Sequence, residues 1–77
     1  MPETSVQQQL VMHLSELLER DADKIPVGDN LVDWGLDSVR MMALVDRLRV
    51  NAPGVEFADV AETPTVEAIV AAVEGLQ

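Results

Sequence analysis

The sequence predicts an all-α fold, a small bundle of three main helices and one short helix, with a long ordered loop between the first two. Three observations predict it. Apolar residues recur at three- and four-residue steps in three separate segments, as on the buried stripe of a helix. Strand signals are weak throughout the chain. At 77 residues, the chain holds one small domain, expected to span 1–77.

Each element has its own local justification. Over residues 4–20, Val6, Leu10, Leu14, Leu17 and Leu18 fall on one helical stripe, Thr4 or Ser5 can cap the start, and Arg20 suits the negative pole at the end. Residues 21–37 are dense in Asp, Gly, Asn and Pro, and Pro26 and Gly28 interrupt any helix there. Ile25, Val27, Leu31, Val32, Trp34 and Leu36 are nonetheless apolar, so this loop is expected to lie pinned on the core. Long ordered loops in small domains are often functional. The second helix is expected over 38–51, with Asp37 as its N-cap and Pro53 and Gly54 beyond its end. One short helical turn is expected over 57–62. The last helix opens at 63–67, with Thr63 as cap and Pro64 in the first helical position, and Val66, Ile69, Val70, Val73 and Leu76 share one face.

Composition narrows the function. Fourteen acidic residues against five basic ones leave a net charge of −9, a surface that repels nucleic acid and anionic lipid and favours partners with basic faces. The chain has no cysteine, so any thiol chemistry needs a cofactor to supply the sulfur. Residues 1–20 lack the pattern of a signal peptide, and no stretch approaches the roughly 18 apolar residues of a membrane span. A cytoplasmic monomer is the expectation. A domain this small buries only about 60% of the surface its unfolded chain exposes, which leaves little room for a deep catalytic cavity.

The middle of the chain reads G-L-D-S-V-R-M-M from Gly35 to Met42. Plotted at about 100° per residue, Met41, Leu44, Val45 and Leu48 make the core stripe of the second helix. Val39, Met42, Ala43 and Val50 fall off it, and apolar groups left outside a core mark a docking surface; a covering neighbour helix or ordinary surface scatter would account for them equally. Ser38 takes the first helical position, where the hydroxyl is accessible and free N–H groups favour an anion by about 0.3–1 kcal/mol. On helix statistics alone, Asp37-Ser38 is simply a helix start. A nucleophilic triad needs a base and an oxyanion hole, yet the single histidine, His13, stands on the flank of the first helix and the context of Ser38 is not a nucleophile elbow. No catalytic residue is assigned. The acidic loop fails the calcium-loop pattern as well: counted from Asp21, the fifth, sixth and twelfth places hold Ile25, Pro26 and Val32. No metal is expected.

The segment from Asp29 to Arg49, D-N-L-V-D-W-G-L-D-S-V-R-M-M-A-L-V-D-R-L-R, resembles the phosphopantetheine attachment region of acyl and peptidyl carrier proteins. V-R-M-M, with Trp34 ahead of it, looks most like the aryl carrier proteins of nonribosomal peptide and siderophore assembly. The resemblance covers nearly the whole chain, including the F-A-D-V…T-P-T run into the final helix. It implies an acyl-carrier-protein-like four-helix bundle with a short third helix. It also implies that Ser38 carries a covalent 4'-phosphopantetheine arm taken from coenzyme A, with Asp37 in support. The partners implied are a phosphopantetheinyl transferase, an aryl-acid adenylating enzyme and a condensation domain, docking at Val39, Arg40 and Met42. No isochorismate-cleaving domain accompanies the carrier region, so a free-standing or excised carrier is expected. A carrier of amino-acid, fatty or polyketide cargo is the runner-up, and an unmodified helical interaction module is the alternative of another class.

Overall fold

The computed structural model describes residues 5–76. Four helices, α1 (Val6–Leu18), α2 (Ser38–Leu48), α3 (Phe57–Ala61) and α4 (Val66–Leu76), build it, and no strand occurs among the described residues. The expected all-α bundle with a short third helix is what forms.

α1 starts at a reciprocal cap. The Gln8 N–H donates to Ser5 Oγ at 3.1 Å, and the Ser5 N–H donates to Gln8 Oε1 at 3.1 Å, which satisfies two donors that a helix start leaves free. Ser5 is therefore the cap, and Thr4 lies outside the described residues. α1 ends on Glu19, which takes the left-handed conformation at φ 54°. Arg20 thus falls beyond the helix instead of in its last turn. Its guanidinium sits 5.7 Å from the centroid of the Trp34 ring, a cation–π distance.

The loop after α1 is more regular than its composition predicts. It contains two short 3₁₀ turns, Ala22–Lys24 and Leu31–Trp34, because such turns need only three or four residues and tolerate Asp and Asn at their starts. Asn30 caps the second, accepting from the Val32 N–H at 2.9 Å. Gly35 then takes φ 103°, a left-handed position that glycine fills without a Cβ penalty. The loop is pinned as expected through Ile25, Leu31 and Leu36, all buried, but Val27 and Val32 remain about half exposed, at 42% and 49%. Two backbone bonds tie it to the start of α4: Leu31 N–H to the Pro64 carbonyl at 2.7 Å and Glu67 N–H to the Val27 carbonyl at 3.1 Å.

Those bonds bear on the start of α4. Thr65, not Thr63, is the cap: its Oγ1 accepts from the Ala68 N–H at 3.2 Å, and its carbonyl accepts from Ile69 at 3.0 Å. Pro64 stays outside the helix, its carbonyl turned to the loop. Val66, Ile69 and Val73 are buried and Val70 packs against them, whereas Leu76 is 46% exposed.

The core runs through all four helices and the loop. Leu10 and Leu14 of α1, Leu44 of α2, Val60 of α3 and Ile69 of α4 are fully buried around Leu31 and Leu36. Met41, Leu44, Val45 and Leu48 face inward as the wheel predicts. No described helix is long and apolar enough to cross a membrane.

Candidate functional site

Ser38 is the first residue of α2 and is exposed to solvent. Its hydroxyl makes no hydrogen bond among the described residues. Asp37 caps the helix beneath it: Oδ1 accepts from the Arg40 N–H at 2.9 Å, and the Asp37 carbonyl accepts from Met41 at 2.8 Å. The backbone bond from Arg40, reinforced by the Arg40 charge, holds the Asp37 carboxyl below its ordinary value despite some opposing desolvation. Asp37 is thus an anion and an acceptor beside the serine.

The loop determines where this helix begins. Gly35 reverses the chain, Leu36 plugs into the core with its N–H on the Leu31 carbonyl at 3.0 Å, and Asp37 follows in extended conformation. Ser38 therefore projects from a start anchored on both sides, by a buried leucine before it and buried Met41 after it.

The other expected residues divide. Val39 and Met42 are strongly exposed, at 76% and 61%, so no neighbouring helix covers them. Arg40 is half-buried and turns inward: Nη1 meets Asp37 Oδ2 at 2.8 Å, and Nε donates to the Leu17 carbonyl at 3.0 Å. Sequence reasoning missed Phe57 of α3, which is 41% exposed. Phe57 shares a small cleft of about 130 Å³ with Met42, Val45, Asp46 and Arg49. An isolated aromatic at a loop end gives no periodic signal, and only the folding of α3 against α2 brings it beside Met42. A larger open groove of about 470 Å³ lies between α1 and the loop, lined by residues including Gln8, Met12, Ile25 and Val27; none of the five expected site residues lines it.

His13 has no part in this arrangement. It is half-buried on α1, and its Nδ1 is enclosed without a partner. No hydrogen bond joins it to Ser38. Burial, and secondarily the Arg47 charge, push its pKa down, against a smaller pull upward from Glu16. Among the described residues no three His, Asp or Glu side chains gather into a metal-binding group.

An exposed, unengaged hydroxyl on the first residue of a rigidly capped helix is suited to modification by another protein. The family described as "Phosphopantetheine attachment site" matches residues 8–73, and the chain belongs to it. This is a carrier family, not a catalytic one, and it binds 4'-phosphopantetheine covalently. The chain is 53% identical over 55 residues to phenyloxazoline synthase MbtB of Mycobacterium tuberculosis, covering 71% of this chain and 4% of that one. It is 43% identical over 54 residues to the isochorismatase of Bacillus subtilis, covering 70% and 17%. It is 52% identical over 40 residues to enterobactin synthase component B of Escherichia coli, covering 52% and 14%. The chain thus spans less than a fifth of the length of any of these relatives. No solved structure matches it significantly. A carrier role follows from the family.

Proposed function

We propose that residues 1–77 form one aryl carrier domain, with Ser38 as the residue that bears the arm. The observation that carries this reading is the exposed Ser38 hydroxyl at the capped start of α2, inside the matched attachment region. The group fits the residues present. The hydroxyl is open to a transferase, and no hydrogen bond of its own has to be broken. The Ser38 and Val39 N–H groups at the helix start favour a phosphodiester there. In the transfer, the bond between Ser38 Oγ and phosphorus forms as the pyrophosphate bond of coenzyme A breaks; the adenosine bisphosphate leaves, and the hydroxyl proton passes to a base on the transferase. When bound, the arm would supply the thiol that this cysteine-free chain lacks, a group able to hold a carboxylic acid as a thioester.

Asp37 keeps the serine at the helix start by capping. Val39 and Met42 present the apolar docking surface for the transferase, an aryl-acid adenylating enzyme and a condensation domain, with Arg40 between them in sequence. Phe57 extends that surface across to α3. An aryl acid as cargo is supported by the similarity to a protein named phenyloxazoline synthase and to an isochorismatase.

Cargo is tested by competition. The arm-bearing protein is offered in parallel to an aryl-acid adenylating enzyme and to amino-acid-activating ones, and the rate of each loading is measured. Faster aryl loading supports the reading. Equal or reversed rates remove the aryl cargo and leave the carrier role standing.

A further inference from the structure

Arg40 stands two residues after the serine, and its bonds run inward. Its own N–H donates to Asp37 Oδ1 at 2.9 Å, its Nη1 reaches Asp37 Oδ2 at 2.8 Å, and its Nε donates to the Leu17 carbonyl at 3.0 Å. Leu17 lies in the last turn of α1, where carbonyls have no partner within the helix. Arg40 therefore supplies a donor that the end of α1 needs, while gripping both oxygens of the residue that caps α2. The planar guanidinium suits this double role, since its donors diverge in a fixed fork and one immobilised side chain serves two acceptors.

We infer that Arg40 is a positioning residue: it clamps the end of α1 to the start of α2 and so fixes the orientation of the Ser38 hydroxyl for transfer. The inference rests on the attachment reading of Ser38 and assigns Arg40 a task different from partner docking. The physical chain is short. Without the clamp, the Leu17 carbonyl loses its donor and Asp37 loses its cation, while the backbone bond from Arg40 alone must hold the cap. The first turn of α2 then frays, and Ser38 Oγ spends less time in line with the phosphorus it must reach. Small misplacements of reacting atoms lower rates steeply.

The test uses the intact chain, Arg40→Gln, Arg40→Lys and Asp37→Asn. One readout needs no cofactor: hydrogen exchange at the Arg40 backbone N–H. We expect it to quicken about fivefold or more in Arg40→Gln, because opening of this turn is local, while the helical circular-dichroism signal holds. The second is transfer of phosphopantetheine from coenzyme A, followed by intact mass. The expected result is a kcat lower by about tenfold with KM little changed, and an effect that does not add to that of Asp37→Asn, since both act on one pair. A raised KM with unchanged kcat, additive with Asp37→Asn, makes Arg40 a docking residue and overturns the inference. Unchanged exchange at the Arg40 N–H overturns it whatever the rates. If Arg40→Gln loses its helical signal, Arg40→Lys is judged by the same criteria; loss in both makes Arg40 a determinant of the whole fold and also overturns it. If the wild-type chain accepts no arm, the attachment reading fails, and the exchange data still judge the clamp.

Discussion

The backbone N–H of Leu31 donates to the carbonyl of Pro64 across 2.7 Å, joining the long loop to the residue just before the cap of α4. This bond and the burial of the Leu31 side chain make the loop a structural layer of the bundle, and the loop in turn fixes where α2 and its serine begin.

Leu31→Ala tests that dependence. Leu31 is fully buried, so truncation is expected to cost about 2–5 kcal/mol, a large share of the stability of so small a domain. Val32→Ala, one residue on and 49% exposed, should stay within about 0.5 kcal/mol of wild type. Denaturant unfolding of both variants checks the contrast.

The Asp37 cap should fail under acid. Its pKa in the folded chain lies below the ordinary value of 3.8, chiefly through the Arg40 N–H bond. The stability it contributes is present above 3.8 and is lost as pH falls through the lower, folded value. Asp37→Ala should abolish that acid-dependent part and lower Tm at neutral pH. Asp37→Asn, which keeps an acceptor oxygen, should recover part of the Tm. Thermal melts across the acid range for the three proteins decide it.

His13 acts in a different window. Burial and Arg47 depress its folded pKa below 6.5, so the unfolded chain takes up a proton first as pH falls. Stability should therefore decline from 6.5 downward and level off below the folded value. In His13→Phe that step should vanish, and in Arg47→Gln the His13 ring should titrate at higher pH. Ring resonances followed by NMR, with melts at matching pH, provide the check.

On the proposed docking surface, Val39→Asp and Met42→Asp should each slow loading or condensation by about tenfold, because an apolar contact with the partner would be replaced by a desolvated charge. Their exposure of 76% and 61% predicts helical circular dichroism near wild type. A collapsed fold in either variant would place that side chain in the core.

Much of this architecture is legible in the chain itself, because the interactions responsible are local or periodic. The inward stripe of α2 follows from 3.6-residue spacing, and Asp37 is readable as a cap because aspartate at that position has few better uses. The cap of α4 is not readable in the same way. Thr63 and Thr65 flank Pro64 equally, and Thr65 prevails where the Pro64 carbonyl is committed to distant Leu31. Arg40 misleads a helical wheel for a related reason. Its Cα lies off the core stripe, but a long side chain reaches around the helix to an orphan carbonyl on α1, and that pairing exists only once α1 and α2 are packed. Arg20 passes the end of α1 because Glu19 ends the helix early, in the left-handed conformation, and a residue other than glycine or asparagine gives little warning of that.

The most direct measurement is intact mass with peptide mapping after incubation with coenzyme A, magnesium and a broad-specificity phosphopantetheinyl transferase. The account predicts one added phosphopantetheine, located on Ser38, and no addition to Ser38→Ala. An unchanged mass for the wild-type chain, or an arm that still attaches when Ser38 is replaced, would contradict it.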